Sequence, residues 1–256
     1  MLPIRRTLDG ESVAVNAALL CHLAGAAHVT TIDRTERLVS TARTRLAEAG
    51  FKPSVLRTDG QDGCPDRVPF DRIIATCSVR RIPRAWLDQC APGGLIVAPI
   101  ADALGGGAGA RLTKLPDGRA VGRFLHQPAA FMPLRSADEP GPPAPGPGAG
   151  GRTTAAGSRV LDDHGFSFWA GLHLGPTVVR CGSTLHDPAD GSVAYVQDDT
   201  VLVSGPRDLW QLIEAAHRSW LDHNRPRREW FTVEAGPEGL LVGYTAPDGS
   251  STRWSS

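Results

Sequence analysis

The sequence has no excess of either charge: 27 Lys plus Arg stand against 27 Asp plus Glu in 256 residues. Without a net field there is no electrostatic reason to expect nucleic acid or an anionic membrane surface as a partner. Nor is there a run of about 18 apolar residues, so no membrane-spanning helix is expected. The opening stretch MLPIRRTLDGES has two arginines but no apolar core after them, and does not read as a secretory signal. The five cysteines (Cys21, Cys64, Cys77, Cys90 and Cys181) are scattered. None forms a C-x-x-C pair, and no Cys/His cluster has zinc-like spacing, so no metal is expected. Reduced thiols and a cytoplasmic location follow.

What is present is an alternation. Residues 14–26 form a helix whose apolar face is assigned to Leu19, Leu20 and Leu23, with Gly25 near its end. Residues 29–32 are a short apolar run of the kind buried on both faces of a parallel sheet. The amphipathic stretch 35–49 follows, with Leu38, Val39, Ala42 and Leu46 on one side and Gly50 as its stop. Strands are expected at 54–58, 71–77 and 95–100, with a short helix at 85–90. Strand and helix in turn argue for an α/β fold, a mostly parallel sheet with helices on both faces. Residues 110–115 and 119–125 flank Pro116-Asp117-Gly118 and read as an antiparallel hairpin.

Residues 136–158, SADEPGPPAPGPGAGGRTTAAGS, offer almost nothing to bury and read as a disordered linker. Three parts follow: a first domain over 1–135, the linker, and a smaller α+β domain over 159–256. The last contains expected strands at 177–181, 193–197, 201–203 and 240–244. Its one clear helix covers 207–223, with Leu209, Leu212, Ile213, Ala216 and Trp220 as the buried stripe. Trp169, Trp210, Trp220, Trp230 and Trp254 read as core aromatics of this part.

In open α/β sheets, ligands sit at the carboxyl ends of the strands, where strand order reverses. Asp33 ends the strand 29–32, and Asp59-Gly60 follows the strand 54–58. Each acid has a plainer reading, Asp33 as a helix N-cap and Asp59 as a turn residue. Asp62 reads as a solvated turn acid. His22, His28, His164, His173 and His186 adjoin no Ser or Cys nucleophile motif and read as core or surface residues.

Certain phrases carry a more specific signal. Val68-Pro69-Phe70-Asp71-Arg72-Ile73-Ile74-Ala75-Thr76 is followed by Ile82-Pro83, Trp86-Leu87, Gln89, Pro92-Gly93-Gly94 and Pro99. With the Asp59-Gly60 pair, these resemble the protein-L-isoaspartate O-methyltransferases, a family of S-adenosylmethionine (SAM)-dependent enzymes with a Rossmann-like sheet. The likeness covers roughly 14–135. More weakly, the tail phrase FSFWAGLHL and the turn Pro247-Asp248-Gly249 are similar to actinobacterial-type relatives with an extra C-terminal domain, which accompany peptide-modification systems. The resemblance implies methyl transfer from SAM to the carboxylate of an isoaspartyl or aspartyl residue, in protein repair or peptide modification. Asp33 would then hold the ribose and Asp59 the adenine amino group, with Gly10, Ser12, Ala14, Gly60 and Thr76 completing the donor site. No catalytic side chain is implied, because the acceptor is already an anion and positioning supplies the rate.

The departures lie at the start. The family's G-x-G-x-G positions fall on Gly10, Ser12 and Ala14, so two carry a Cβ where positive φ is an option. The first strand is expected near Ile4-Arg5-Arg6-Thr7-Leu8, with two arginines costly in a central strand. The segment that covers the acceptor in the family has no counterpart, so the N-terminus is expected to be truncated. Two other readings follow: a catalytically impaired module that binds a peptide or partner, and an NAD-binding domain, which leaves Asp59-Gly60 unexplained. The sequence carries no signal for an oligomeric state.

Overall fold

The computed structural model describes residues 7–10, 14–102, 104, 107–129, 131–132, 134, 150–175 and 177–255. Its first half is the expected alternation: β1 (Thr7–Gly10), α1 (Val15–Ala24), β2 (Val29–Asp33), α2 (Glu36–Glu48), β3 (Ser54–Arg57), β4 (Phe70–Ala75), α3 (Arg84–Gln89) and β5 (Cys90–Ile100). The five strands are parallel in the order β3-β2-β1-β4-β5. Chain order thus reverses between β1 and β4. The antiparallel strands β6 (Ala108–Lys114) and β7 (Ala120–Pro128) follow as the expected hairpin.

On one face, α1 and α2 share a cluster of Ala17, Val39, Ala42, Leu46 and Val55. Gly50 turns the chain out of α2 with a φ of 82°, which glycine adopts without strain. Arg43 of α2 donates to the Val55 carbonyl of β3 at 2.8 Å. The buried stripe of α1 differs from the expected one. Ala17, Leu20 and Cys21 face inward, while Leu19 and Leu23 are 58% and 75% exposed. Almost every residue of this helix is apolar, so periodicity alone could not choose between the two stripes. In α2, Leu38 likewise lies largely outside the stripe of Val39, Ala42 and Leu46.

The second half departs further from expectation. It holds β8 (Gly150–Thr153), α4 (His164–Leu174), β9 (Val179–Cys181), β10 (Thr184–His186), β11 (Val193–Gln197), β12 (Thr200–Ser204), α5 (Leu209–Asp222), β13 (Thr232–Gly236), β14 (Gly239–Thr245) and β15 (Ser251–Ser255). Strands β8 to β12 form a separate antiparallel sheet, ordered β8-β12-β11-β10-β9. Strands β13 to β15 do not belong to it. They pair onto β7, with Thr232 opposite Arg123, and extend the first sheet to ten strands. The boundary expected at 159 therefore cuts a continuous sheet. The strands were legible, but their partner lies a hundred residues away in the sequence and leaves no local trace.

Helix α4, missed in the sequence reading, joins the two halves. HGFSFWAGLHL carries apolar residues on every side, so it shows no clean stripe; Phe166, Phe168 and Trp169 are all buried, while His164 and His173 are exposed. Phe168 meets Phe124 of β7 at 4.9 Å between ring centroids, and Trp169 meets Tyr244 of β14 at 5.9 Å. Phe166 faces the other way, toward Trp220 of α5 at 5.5 Å. Asp163 caps the helix, accepting from the Gly165 and Phe166 amides. Helix α5 has its expected stripe of Leu209, Ile213, Ala216 and Trp220, with Trp210 also buried and Leu212 partly so. Trp230, in contrast, is 42% exposed. No helix of the described residues is long and apolar enough to cross a membrane.

The expected linker also needs correction. Its residues up to 149 lie outside the described ones, but Gly150–Thr153 is a strand paired with β12. Arg152 within it bonds Asp208 at 2.8 Å and Glu214 at 2.9 Å. These partners are distant in sequence, so a glycine-rich string gave no sign of them. Burial pushes the Asp208 and Glu214 carboxyls up, yet the guanidinium and local donors outweigh it and hold both below their ordinary values.

Trypsin should therefore spare Arg152, and Arg152→Ala should cost about 1–2 kcal/mol, discounted for partial exposure. Carboxyls depressed in the folded state contribute stability above their unfolded values, near pH 4, and lose it as pH falls through the folded ones. The gap between wild type and variant in urea midpoints should shrink below about pH 4. A gap that persists undiminished at about pH 3 would show that the ion pairs do not stabilise the fold.

Candidate functional site

Because β1, β2 and β4 are parallel and in register, their carboxyl ends reach one edge together. Gly10, the last residue of β1, lies opposite Ile32 of β2 and Ala75 of β4. Asp33 and Thr76 are the next residues on either side. On the neighbouring strand Asp33 stands opposite Arg57, and the Thr58 amide donates to the Asp33 carbonyl at 3.1 Å. Asp59 and Gly60 come directly after. Five of the seven residues singled out from the sequence thus lie at or just past these strand ends, where strand order reverses and open α/β sheets form a crevice.

Asp33 is 3% exposed. The Thr35 amide donates to its Oδ1 at 2.7 Å, two residues on, which orients the carboxylate before α2 begins. The helix N-cap is Thr35 itself, without a side-chain cap bond, so the capping reading of Asp33 does not hold in its simple form. Asp59 does act in its turn: it accepts from the Gln61 amide at 2.9 Å. Asp59 is half-buried, while Asp62 is exposed.

The loop that carries Asp59 is held from α3. Trp86 Nε1 donates to the Gly60 carbonyl at 2.7 Å, and Gln89 Nε2 donates to the Asp62 carbonyl at 2.7 Å. Gln89 Oε1 in turn accepts from the Cys64 amide at 2.7 Å. Gly63 permits this approach: its φ is 63°, and a Cβ there would stand 2.4 Å from Gln89 Oε1. Trp86 and Gln89 are positioning residues that stand out in the sequence only within the longer run from Val68 to Pro99. Their spacing on one short helix, just before Pro92-Gly93-Gly94, was the available signal.

Beyond Thr76 the chain forms the other wall. Val79 pairs with Ile100 at the end of β5. The Ser78 hydroxyl donates to the Phe131 carbonyl at 3.0 Å and its amide to the Met132 carbonyl at 2.9 Å. The strand exit of β7 is thereby drawn back across the end of β4, with Met132 75% exposed beside it.

At the amino-terminal side, Ala14 is half-buried at the start of α1 with a φ of −104°. No positive φ is needed there, so alanine in place of the family's glycine brings no backbone strain. Ser12, Arg5 and Arg6 lie outside the described residues, and the described part of β1, TLDG, contains no arginine. His22, His28 and His164 are exposed, and none sits on the strand ends of the crevice. Burial pushes the Cys90 thiol up to about 11, which leaves it unreactive at neutral pH. Among the described residues no three His, Cys, Asp or Glu side chains converge as a metal site would require.

Comparison with known proteins gives this geometry a family. In Ignicoccus hospitalis, a protein-L-isoaspartate O-methyltransferase is 36% identical over 127 residues, covering 49% of this chain and 59% of the relative. Another, from Methylibium petroleiphilum, is 37% identical over 129 residues, 50% of this chain and 47% of the relative. The chain thus spans about half the length of the curated relatives it matches. A solved protein-L-isoaspartate O-methyltransferase superposes with a TM-score of 0.51 at 16% identity, covering 99% of this chain and 76% of that one, a likeness of fold. The family model for protein-L-isoaspartate(D-aspartate) O-methyltransferase matches residues 4–138, over half of the sequence and every strand of the crevice. The chain therefore belongs to the protein-L-isoaspartate(D-aspartate) O-methyltransferase family.

Proposed function

We propose that this chain binds SAM along the carboxyl ends of β1 to β4 and methylates the carboxylate of an isoaspartyl or aspartyl residue in a protein or peptide. The observation that carries this reading is the pair of acids at successive strand ends, Asp33 and Asp59, inside the stretch that the family model matches. Activity is carried over from relatives whose names state it, onto a chain that spans about half of their length.

The residues present fit the donor. Asp33 is already desolvated and oriented, and the Thr35 amide occupies one of its oxygens, leaving acceptor capacity for ribose hydroxyls. Asp59, fixed by its own turn and by the α3 clamp beneath it, suits an adenine amino group. Gly10 brings bare backbone to the switch point, where a side chain would meet the methionine part. Gly60 and Thr76 border the same crevice. Ser12 and Ala14 are assigned by position in the family motif.

Bound SAM would supply a methyl group on a sulfonium, a good leaving group. The chain's own contribution is to hold the acceptor carboxylate in line and to exclude water, since an anionic acceptor has no proton to lose. The wall formed by Ser78, Val79 and the segment 131–132 stands where such an acceptor would approach. Free cysteines throughout are in keeping with action in the cytoplasm. The impaired-module reading draws on Ser12 and Ala14; it loses ground at Ala14, whose backbone is unstrained.

Titration calorimetry of the full chain should show SAM binding, with NADH as a silent control. Asp33→Ala and Asp59→Ala should each weaken it about ten- to a hundredfold, the worth of one charge-assisted hydrogen bond. Unchanged affinity in both variants, or binding of NADH in place of SAM, would remove the site assignment. Radiolabel transfer to an isoaspartyl peptide then tests the reaction itself, and its absence from SAM-saturated protein would favour the binding-module reading.

A further inference from the structure

Beyond the carboxyl end of β5 lies a cavity that the donor positions leave unused. Its volume is about 110 Å³, comparable to the roughly 150 Å³ apolar cavity that admits a benzene ring. Ile100, Phe124, Phe168, Leu240 and Val242 form a buried apolar floor. Leu172 and Trp254, both half-buried, stand at the rim with the exposed Arg80. Gly175, with a φ of 86° and open space around it, and Gly171 keep one wall free of side chains. Asp102 also lines the wall, in the field of the buried Arg228, which offsets its charge.

Place and composition together suggest a use. Val79 pairs with Ile100, and Arg80 is four residues past Thr76, so the rim is at most about 14 Å of chain from the donor edge of β4. Both halves of the protein build the cavity: β5 and β7 supply one side, α4, β14 and β15 the other. An apolar cup of this size has room for one branched aliphatic or aromatic side chain.

We propose that this cavity is a side-chain pocket for the methyl acceptor: it takes the apolar side chain of a residue next to the methylated one. The proposal rests on the methyltransferase reading given above. It assigns the C-terminal half a part in choosing the substrate, through α4 and the strands it covers.

The test compares two isoaspartyl peptides that differ only in the residue after the acceptor, leucine or serine. Wild type should favour the leucine peptide about tenfold or more in kcat/KM, as burial of one aliphatic side chain implies. Leu172→Trp, whose indole fills the mouth, should bring that ratio near one. Leu172→Ala should shift preference from leucine toward phenylalanine, which keeps the test open if the larger residue is not accommodated. No preference in wild type, or a preference that neither variant alters, would overturn the proposal. If neither peptide is methylated the reaction reading fails, and fluorescence anisotropy with the same labelled peptides still decides about the pocket. Tighter binding of the leucine peptide, lost in Leu172→Trp, supports it; equal binding in wild type refutes it.

Discussion

Helix α4 buries large side chains on opposite sides of its axis, and the architecture follows from that constraint. Phe166, Phe168, Trp169, Ala170 and Leu174 are all buried, pointing in different directions around one axis. A sheet can cover only one side of such a helix. The ten-stranded sheet does so through Phe124 and Tyr244, and α5, backed by the second sheet, covers the opposite side through Trp220. The Ser167 hydroxyl adds a bond to the Leu104 carbonyl just past β5, tying the helix to the loop beside the crevice. Burial of several aromatic and aliphatic side chains at about 1.5–3 kcal/mol each makes this contact too large to be incidental.

The same constraint explains the way the site is supported. Parallel strands bring Gly10, Asp33, Asp59 and Thr76 to one edge, but a loop at that edge has no reason to hold its shape. Here α3 restrains it from below through Trp86 and Gln89, and α3 is itself packed in the core cluster that α4 completes. Donor positions and C-terminal elements are therefore linked through contiguous packing. The loop that carries Asp59 thus depends on Trp86 and Gln89 further along the chain, whereas Asp33 is held locally by the Thr35 amide.

What could be read from the sequence was what local pattern encodes. Apolar runs ending in Asp33 and before Asp59-Gly60 marked where strands end, because strand ends and turns have short-range signatures. The stripe of α5 was legible for the same reason. The stripe of α1 was not, since nearly every position there is apolar and two stripes fit equally well. Helix α4 hid for a related reason: without a polar face there is no period to detect. Strand β8 and the junction of β13 with β7 escaped because their pairing is written in backbone hydrogen bonds across long separations. Pairing of Arg152 with Asp208 and Glu214 helps hold as a strand a stretch that reads as linker.

Packing this continuous should make the sheet edge with Asp33 and Asp59 and the C-terminal half with α4 one cooperative unit. Differential scanning calorimetry of the full chain, with and without saturating SAM, tests it most directly. A single transition whose calorimetric and van't Hoff enthalpies agree, moved as a whole to higher temperature by SAM, is expected. Two separable transitions, of which SAM moves only one, would contradict it.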